Sequence, residues 1–395
     1  MNPRVPGFRA AAVHCGTKSR GLDLALVASE VPASVAGVFT RSAVVGAPVE
    51  LCRRRVRAGR ARALVVNAGV ANVAMGERGR RDAEAMTRAA ARALGVPEAQ
   101  VLAASTGVIG QPLPMGKIRA GIARAAAGLS PSGLARAARA IMTTDTLPKL
   151  ALARTRLGGR PVQVAGIAKG SGMIEPDMAT MLAFVLTDAA VAPAFLRGAV
   201  SRACAESFNR ISVDGETSTS DMLLVLANGA AGHAALRGPG GADASRFERA
   251  LGEVCGELAR AVARDGEGAT KLVRVEVAEA RTPAEAERAC RRIANSLLVK
   301  TALFGNDPNW GRILQTVGAA RVALRLERTE VSLGGVTVFR RGASAGPGAR
   351  RRAARAMARP EVAIRVRLGA GRAARRVWTC DLSYDYVRIN ADYTT

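Results

Sequence analysis

Short β-rich runs alternate with alanine- and arginine-rich helical stretches along the chain, and that alternation constrains its fold more than any other feature. Ser34–Thr40, Ala63–Asn67, Pro161–Ile167, Met181–Thr187, Met222–Ala227 and Leu272–Val277 read as strands. Arg81–Leu94, Gly133–Met142, Pro193–Asn209, Ser245–Arg264 and Pro283–Val299 read as helices, with apolar residues at helical spacing such as Phe247, Leu251, Val254 and Leu258. Strands alternating with amphipathic helices predict an α/β or α+β protein whose helices cover sheets. The 395 residues suffice for one large domain or two ordinary ones, and 49% hydrophobic content supports a real core. Leu236–Asp243 and Gly342–Arg350 are rich in glycine and read as loops, the second as a mobile surface insertion.

Charge is the next constraint. The formal net charge is +26, and all but six of the 58 basic residues are arginine. Such a balance invites a nucleic-acid reading. Aromatic residues make up only 3%, however, so a stacking platform for single strands is poorly supplied, and no helix-turn-helix or finger signature is present. The arginines, with local clusters at Arg53–Arg62 and Arg340–Arg375, read as solvated helix faces. Non-specific polyanion binding at low salt is expected, specific nucleic-acid binding is not. No apolar run approaches the roughly 18–20 residues that span a bilayer, and the N-terminus has no sustained apolar segment, so a cytoplasmic protein is expected. The six cysteines are scattered without CxxC pairs or nearby histidines, a pattern of reduced thiols with no metal site.

The chain has two histidines, His14 and His233, and neither lies in a motif. A Ser-His-Asp mechanism has little to work with, and a histidine-free nucleophile gains weight. Lys169–Leu182 reads KGSGMIEPDMATML: a glycine-rich turn, a proline turn, then Ala179-Thr180 at the mouth of an apolar run. If the chain cuts itself behind the small Ala179, Thr180 acquires a free α-amine with an ordinary pKa of about 7.7–8.0, a local base for its own hydroxyl. The cut would begin with Thr180 attacking the Ala179 carbonyl, giving an ester that water resolves. Thr106-Gly107, within STGVIG, can aim a hydroxyl and a backbone N–H at one point as an oxyanion hole does, although alone such a run is more often an ordinary turn. Lys169 precedes Gly170-Ser171, the wrong order for a phosphate loop, and suits a substrate carboxylate better. Asp214, Glu216 and Asp221, in DGETSTSD, lack the spacing of a calcium loop and read as structural.

KGSGMIEPDMATML does not stand alone. Asn67-Ala68-Gly69 with Asn72, STGVIG at Ser105–Gly110, TTDT at Thr143–Thr146, DGEGATK at Asp265–Lys271, FGNDPNWGRI at Phe304–Ile313 and NADYTT at Asn390–Thr395 follow in order. Together these blocks resemble the ornithine acetyltransferase family, the threonine-nucleophile enzymes of arginine biosynthesis. The resemblance implies an αββα-like core of stacked sheets between helical layers over residues 1–280, with a smaller C-terminal α/β domain over 281–395. It implies a cut at Ala179-Thr180 into chains 1–179 and 180–395, which would assemble as a heterotetramer. It assigns Thr180 as nucleophile and Thr106 and Gly107 as the oxyanion hole. Thr143, Lys169, Thr180, Glu267, Asn390 and Thr395 match positions that hold the amino-acid part of the substrate.

The implied activity is acetyl transfer from N-acetylornithine to glutamate through an acetyl-Thr180 ester, with no cofactor. Acetyl-CoA is a further co-substrate in some relatives. The sequence departs from the family around Asn67, where members commonly carry an Asn near Val70 and a Cys-containing stretch at Val73-Ala74-Met75. That divergence leaves open altered specificity, or a paralogue used in a different pathway. The competing readings are a self-processing aminopeptidase or amidase of the same broad fold and a basic nucleic-acid-binding protein.

Overall fold

The computed structural model describes residues 3–175 and 181–392. Its first eight strands are β1 (Phe8–Val13), β2 (Leu24–Phe39), β3 (Arg60–Val70), β4 (Val101–Val108), β5 (Lys149–Leu157), β6 (Arg160–Lys169), β7 (Leu182–Thr187) and β8 (Met222–Ala227). They form one sheet of order β4-β3-β2-β8-β7-β6-β5, with β1 on β2. The 16-residue β2 is the fold line. Its first half pairs β1 and β3, its second half pairs β8, and its register with β3 breaks between Ala28 and Ala33.

Alternation along the strands turns this path into layers. Leu24 and Leu26 of β2 face one core, with Met86 of α2 (Gly76–Leu94) and Ile118 and Ile122 of α3 (Met115–Ala127). The intervening Ala25 and Val27 face a central core, with Phe184 of β7 and Leu224 of β8. On the far side Ala183, Val185 and Val225 meet α5 (Pro193–Ala205) and α6 (Ala242–Arg264) through Leu196, Phe247, Leu251 and Leu258. The shorter α1 (Ala47–Arg55) and α4 (Leu134–Ala140) contribute to the central core. Helices, sheet half, sheet half, helices: this is the stacked-sheet arrangement the sequence led us to expect. LAFVLT in β7 and MLLVLA in β8 are buried at every residue, which is why they carry no polar alternation.

The second sheet contains β9 (Leu272–Ala280), β10 (Glu330–Leu333), β11 (Val336–Arg340), β12 (Ala343–Ser344), β13 (Glu361–Arg367) and β14 (Ala373–Cys380), in the order β12-β11-β10-β13-β9-β14. It thus includes β9, which lies wholly before the boundary between residues 280 and 281 where the sequence reading divides the chain. α7 (Pro283–Ala294), α8 (Leu297–Phe304), α9 (Trp310–Gly318) and α10 (Pro347–Met357) pack on one of its faces. After β14, α11 (Tyr384–Asp392) returns to the first body, where the Ser383 hydroxyl donates to the Gly268 carbonyl at 2.5 Å.

Several sequence expectations are corrected here. Pro283–Val299 is two helices, because the helix stops at Asn295 and the Ser296 hydroxyl caps the next one by accepting from Val299 N. Gly342–Arg350 is not a loose insertion: Ala343–Ser344 pairs β11, and Pro347 starts α10 at the position where a missing N–H costs nothing. The strand expected from Met181 begins at Leu182, though the Met181 carbonyl already accepts from Met222 N at 3.0 Å.

Candidate functional site

One mouth of the folded sheet gathers the candidate residues. Thr106 and Gly107 end β4 in one half, and Lys169 ends β6 in the other. The Lys169 ammonium bridges the halves, donating to the Thr106 hydroxyl oxygen at 2.9 Å and to the Thr143 hydroxyl oxygen at 3.0 Å. An ammonium can only donate. It therefore occupies the acceptor side of both hydroxyls and turns the Thr106 proton away from itself. Gly107 is required by the backbone: φ is +128°, and a Cβ would lie 2.3 Å from the Gly69 carbonyl carbon on β3. The two glycines let β3 and β4 close together directly beside Thr106.

Beneath Lys169 lies a buried ion network that the sequence reading did not single out. Lys149, at the start of β5, donates to Asp145 at 2.5 Å and Asp265 at 2.6 Å. Asp145 also accepts from the amides of Gly170 at 2.7 Å and Thr143 at 3.0 Å. Asp265 accepts from Thr146 N at 3.1 Å, and its own carbonyl accepts from the Ser171 hydroxyl at 2.6 Å. Burial works against the Asp145 charge, but Lys149 and Lys169 outweigh it and hold the carboxyl below its usual range. Burial pulls Lys169 down, with Lys149 adding to that effect and Asp145, Asp221 and Glu267 opposing it. Three separate loops are riveted together by this network. The signal was present in the lysine-poor sequence, as Lys149 just after TTDT, but nothing in the spacing pairs it with Asp265.

The far wall comes from Glu267 and α11. Glu267 N donates to the Ser171 carbonyl at 3.1 Å, and its buried carboxylate accepts from Asn390 Nδ2 at 2.8 Å. Gly172 faces that carboxylate so closely that a Cβ would sit 2.6 Å from it. Tyr386, on the same helix, has its phenol pushed up to about 12, by burial first and then by the neighbouring Asp214, Glu267 and Glu216. The structure therefore brings Thr106, Gly107, Thr143 and Lys169 to one mouth, and links them to Glu267 and Asn390 through Ser171.

Ala179, Thr180 and Thr395 lie outside the described residues. The residues flanking 176–180 are firmly tied. Asp214 accepts from Met173 N and Ile174 N, each at 2.7 Å, and Glu175 N donates to the Glu216 carbonyl at 2.9 Å. The Glu175 carboxylate takes Arg291 of α7 at 3.3 Å and Nδ2 of Asn295, the residue that ends that helix, at 2.6 Å. On the other side Met181 lines a small cavity with Thr106, Lys169, Gly170, Ser218, Ser220 and Asp221. DGETSTSD is thus structural in one definite sense, as the clamp on this segment.

Neither histidine enters the mouth. The Ala190 amide donates to His233 Nε2 at 3.0 Å, and His14 lies 3.2 Å from Asp23 with its ring half exposed. All six cysteines are free thiols. Burial pushes Cys15 up to about 11 and Cys52 up to about 12, away from nucleophilic character. Among the described residues no acidic, histidine or cysteine cluster could hold a metal ion, and no helix is long and apolar enough to cross a membrane.

The sequence pattern of the ArgJ family matches residues 9–395. The chain is 49% identical over 392 residues to the arginine biosynthesis bifunctional protein ArgJ of Symbiobacterium thermophilum, covering 98% of this chain and 97% of that protein. It is 48% identical over 392 residues to the protein of the same name from Geobacter sulfurreducens, covering 99% and 100%. The crystal structure of arginine biosynthesis bifunctional protein argJ from Bacillus halodurans matches at 42% identity and a TM-score of 0.51, over 53% of this chain and 98% of that one. With the family's pattern running to the last residue and near-half identity over almost the full length of both proteins, this chain belongs to the ArgJ family.

Proposed function

We propose that this chain, an acetyltransferase of arginine biosynthesis, carries acetyl from N-acetylornithine to glutamate on Thr180, after cutting itself between Ala179 and Thr180. One observation carries the residue assignment: Met181, covalently bonded to Thr180, lines the same cavity as Thr106 and Lys169. The clamps at Met173–Glu175 and Met181 hold both ends of the segment that must react with itself, as intramolecular attack requires.

In the cut, Thr180 Oγ attacks the Ala179 carbonyl carbon. The Thr106 hydroxyl, turned outward by Lys169, donates to the developing oxyanion together with the Gly107 N–H. The peptide C–N bond breaks, its nitrogen takes a proton to become the Thr180 α-amine, and water hydrolyses the ester. In turnover the α-amine takes the hydroxyl proton as Oγ attacks the acetyl carbonyl. Ornithine leaves with that proton on its nitrogen, and the glutamate amine then attacks the acetyl ester. Lys169 and Asn390 suit the substrate carboxylate and Glu267 a substrate ammonium, with Thr143 and Thr395 completing the pocket. No cofactor is needed for these steps, and acetyl-CoA would serve only as an alternative donor to the same threonine. We place the enzyme in the cytoplasm, the two pieces assembling as a heterotetramer.

The deciding assay follows ornithine release from N-acetylornithine with and without glutamate. Release matched by N-acetylglutamate, together with an acetyl adduct on the fragment beginning at Thr180, is the expected result. Equal release without glutamate would make the protein an amidase.

A further inference from the structure

The loop that joins β1 to β2 brings one more cation to the mouth. Asp23, fully buried, accepts from four successive amides of that loop: Cys15 at 2.5 Å, Gly16 at 2.9 Å, Thr17 at 2.8 Å and Lys18 at 3.0 Å. The Thr17 hydroxyl donates to the Ala68 carbonyl at 2.7 Å, so the tightened loop lies on the end of β3. Gly69 makes room for it: φ is +111°, and a Cβ there would lie 2.5 Å from the Thr17 carbonyl oxygen and 3.1 Å from Lys18 Cγ. Gly69 is also the residue against which Gly107 closes. The half-buried Lys18 thus starts beside the Gly69–Gly107 contact, and its ammonium ends at the Met142 carbonyl, 3.1 Å away and one residue before Thr143.

Both ends of Lys18 are fixed, yet its ammonium uses one of three donors: among the described residues the Met142 carbonyl is its hydrogen-bond partner. The other two lysines around the mouth are more committed. Lys149 is neutralised by Asp145 and Asp265, and Lys169 serves Thr106 and Thr143 and keeps one donor. Burial pulls Lys18 down from the usual lysine range, with Asp23 and Asp145 opposing it. A cation with open donors, in a place where burial disfavours its charge, is stabilised by a bound anion.

The two substrates differ in the charge that such a cation reads. N-acetylornithine brings one carboxylate and an ammonium, whereas glutamate brings two carboxylates. In the acceptor half of the reaction the mouth must therefore hold one more negative charge, and Glu267, suited to the ornithine ammonium, repels it. Glu267 stands on the β6 side through Ser171, and Lys18 on the β3 side beside Gly69. We propose that Lys18 is a specificity-determining residue whose ammonium binds the side-chain carboxylate of glutamate and turns it away from Glu267. This rests on the acetyl transfer to glutamate argued above.

The test exploits the two separable halves of the reaction. Purified Lys18→Met keeps a stem over Gly69 and loses the charge. We expect its KM for glutamate to rise about 10–100-fold, the effect of losing one hydrogen bond to a charged group, with KM for N-acetylornithine little changed. With glutamine as acceptor, whose side chain is uncharged, kcat/KM should change far less, so the preference for glutamate over glutamine falls. An unchanged preference overturns the proposal. So does an equal loss for both substrates, which would leave Lys18 holding a carboxylate common to them or merely shaping the loop. If Lys18→Met does not yield folded protein, Lys18→Gln decides on the same readings, since it keeps a side-chain donor without the charge. Failure of the transfer reading itself looks different: the parent would release ornithine equally with and without glutamate, and both ideas would fall together.

Discussion

The two sheets of this protein solve the same packing problem in different ways. β7 and β8 of the first are buried at every residue, between a central core and a helical layer. β13 of the second buries Val362, Ile364 and Val366 while Glu361, Arg365 and Arg367 face outward. That open face is laced by Arg365–Glu276 at 3.2 Å and Arg367–Glu279 at 2.5 Å, with Arg264 of the first body reaching Glu361. A doubly covered sheet has nowhere to expose charge except at the ends of its strands. Those ends are where Thr106, Lys169, Met181 and Asp221 sit. A singly covered sheet spends its polar residues along its length and has a rim less different from its face. The comparison explains why the chemistry collects in the first body, and where part of the arginine excess goes.

Substitutions in the two regions test this contrast. The largest effect is expected at Lys149, whose buried side chain answers both Asp145 and Asp265. Lys149→Ala leaves two carboxylates without their cation and should cost about 3–5 kcal/mol in urea unfolding. A loss under 1 kcal/mol would mean that the network does not hold the mouth. Acid titration adds a sign. In the parent, Asp145 is held below its unfolded value, so its contribution is complete above about pH 4 and is lost as pH falls through the depressed folded pKa. In Lys149→Ala burial is less opposed, and acid unfolding should start at higher pH.

Phe184→Ala comes next, removing a fully buried ring from the central core at a cost of about 3–5 kcal/mol. Circular dichroism during thermal unfolding checks it, and a neutral result would mean the two sheet halves are not tightly stacked there. Thr106→Ala should unfold like the parent yet turn over about 10²–10³-fold more slowly and cut itself more slowly too. Parent rates in both reactions would remove Thr106 from the oxyanion hole. Arg365→Ala on the open face should stay within about 0.5 kcal/mol of the parent, since a half-exposed pair in water contributes little. If it costs as much as Phe184→Ala, the contrast between the two sheets is wrong.

Much of this contrast was legible beforehand. The unbroken apolar runs LAFVL and MLLVLA mark strands covered on both faces, and Phe247, Leu251, Val254 and Leu258 mark the helix that covers them. β10 to β13 went unread, because β10 to β12 are short, arginines break the apolar pattern of β13, and a glycine-rich turn hides the start of α10. The long β2 was half seen, as Ser34–Thr40, since the break near Ala28 interrupts its pattern. At the site, Thr106, Lys169 and Glu267 were named from local motifs and do converge. Lys149 was not given a role, because its meaning comes in part from Asp265, far away in the chain.

What the sequence determined by itself was therefore local: which runs bury, which segment carries the Ala-Thr junction, and which family's motifs it carries in order. Periodicity and glycine placement are properties of neighbouring residues, and they survive being read one segment at a time. Only the tertiary structure decided that β4 and β6, in opposite halves of a folded sheet, put Thr106 and Lys169 at 2.9 Å. Likewise, only the fold brought Asp265 to Lys149 and Asn390 to Glu267. Such pairings follow from where β2 bends and how α11 returns, and a chain's pattern of polar and apolar residues does not encode a distance between two strand ends until the whole core has closed around them.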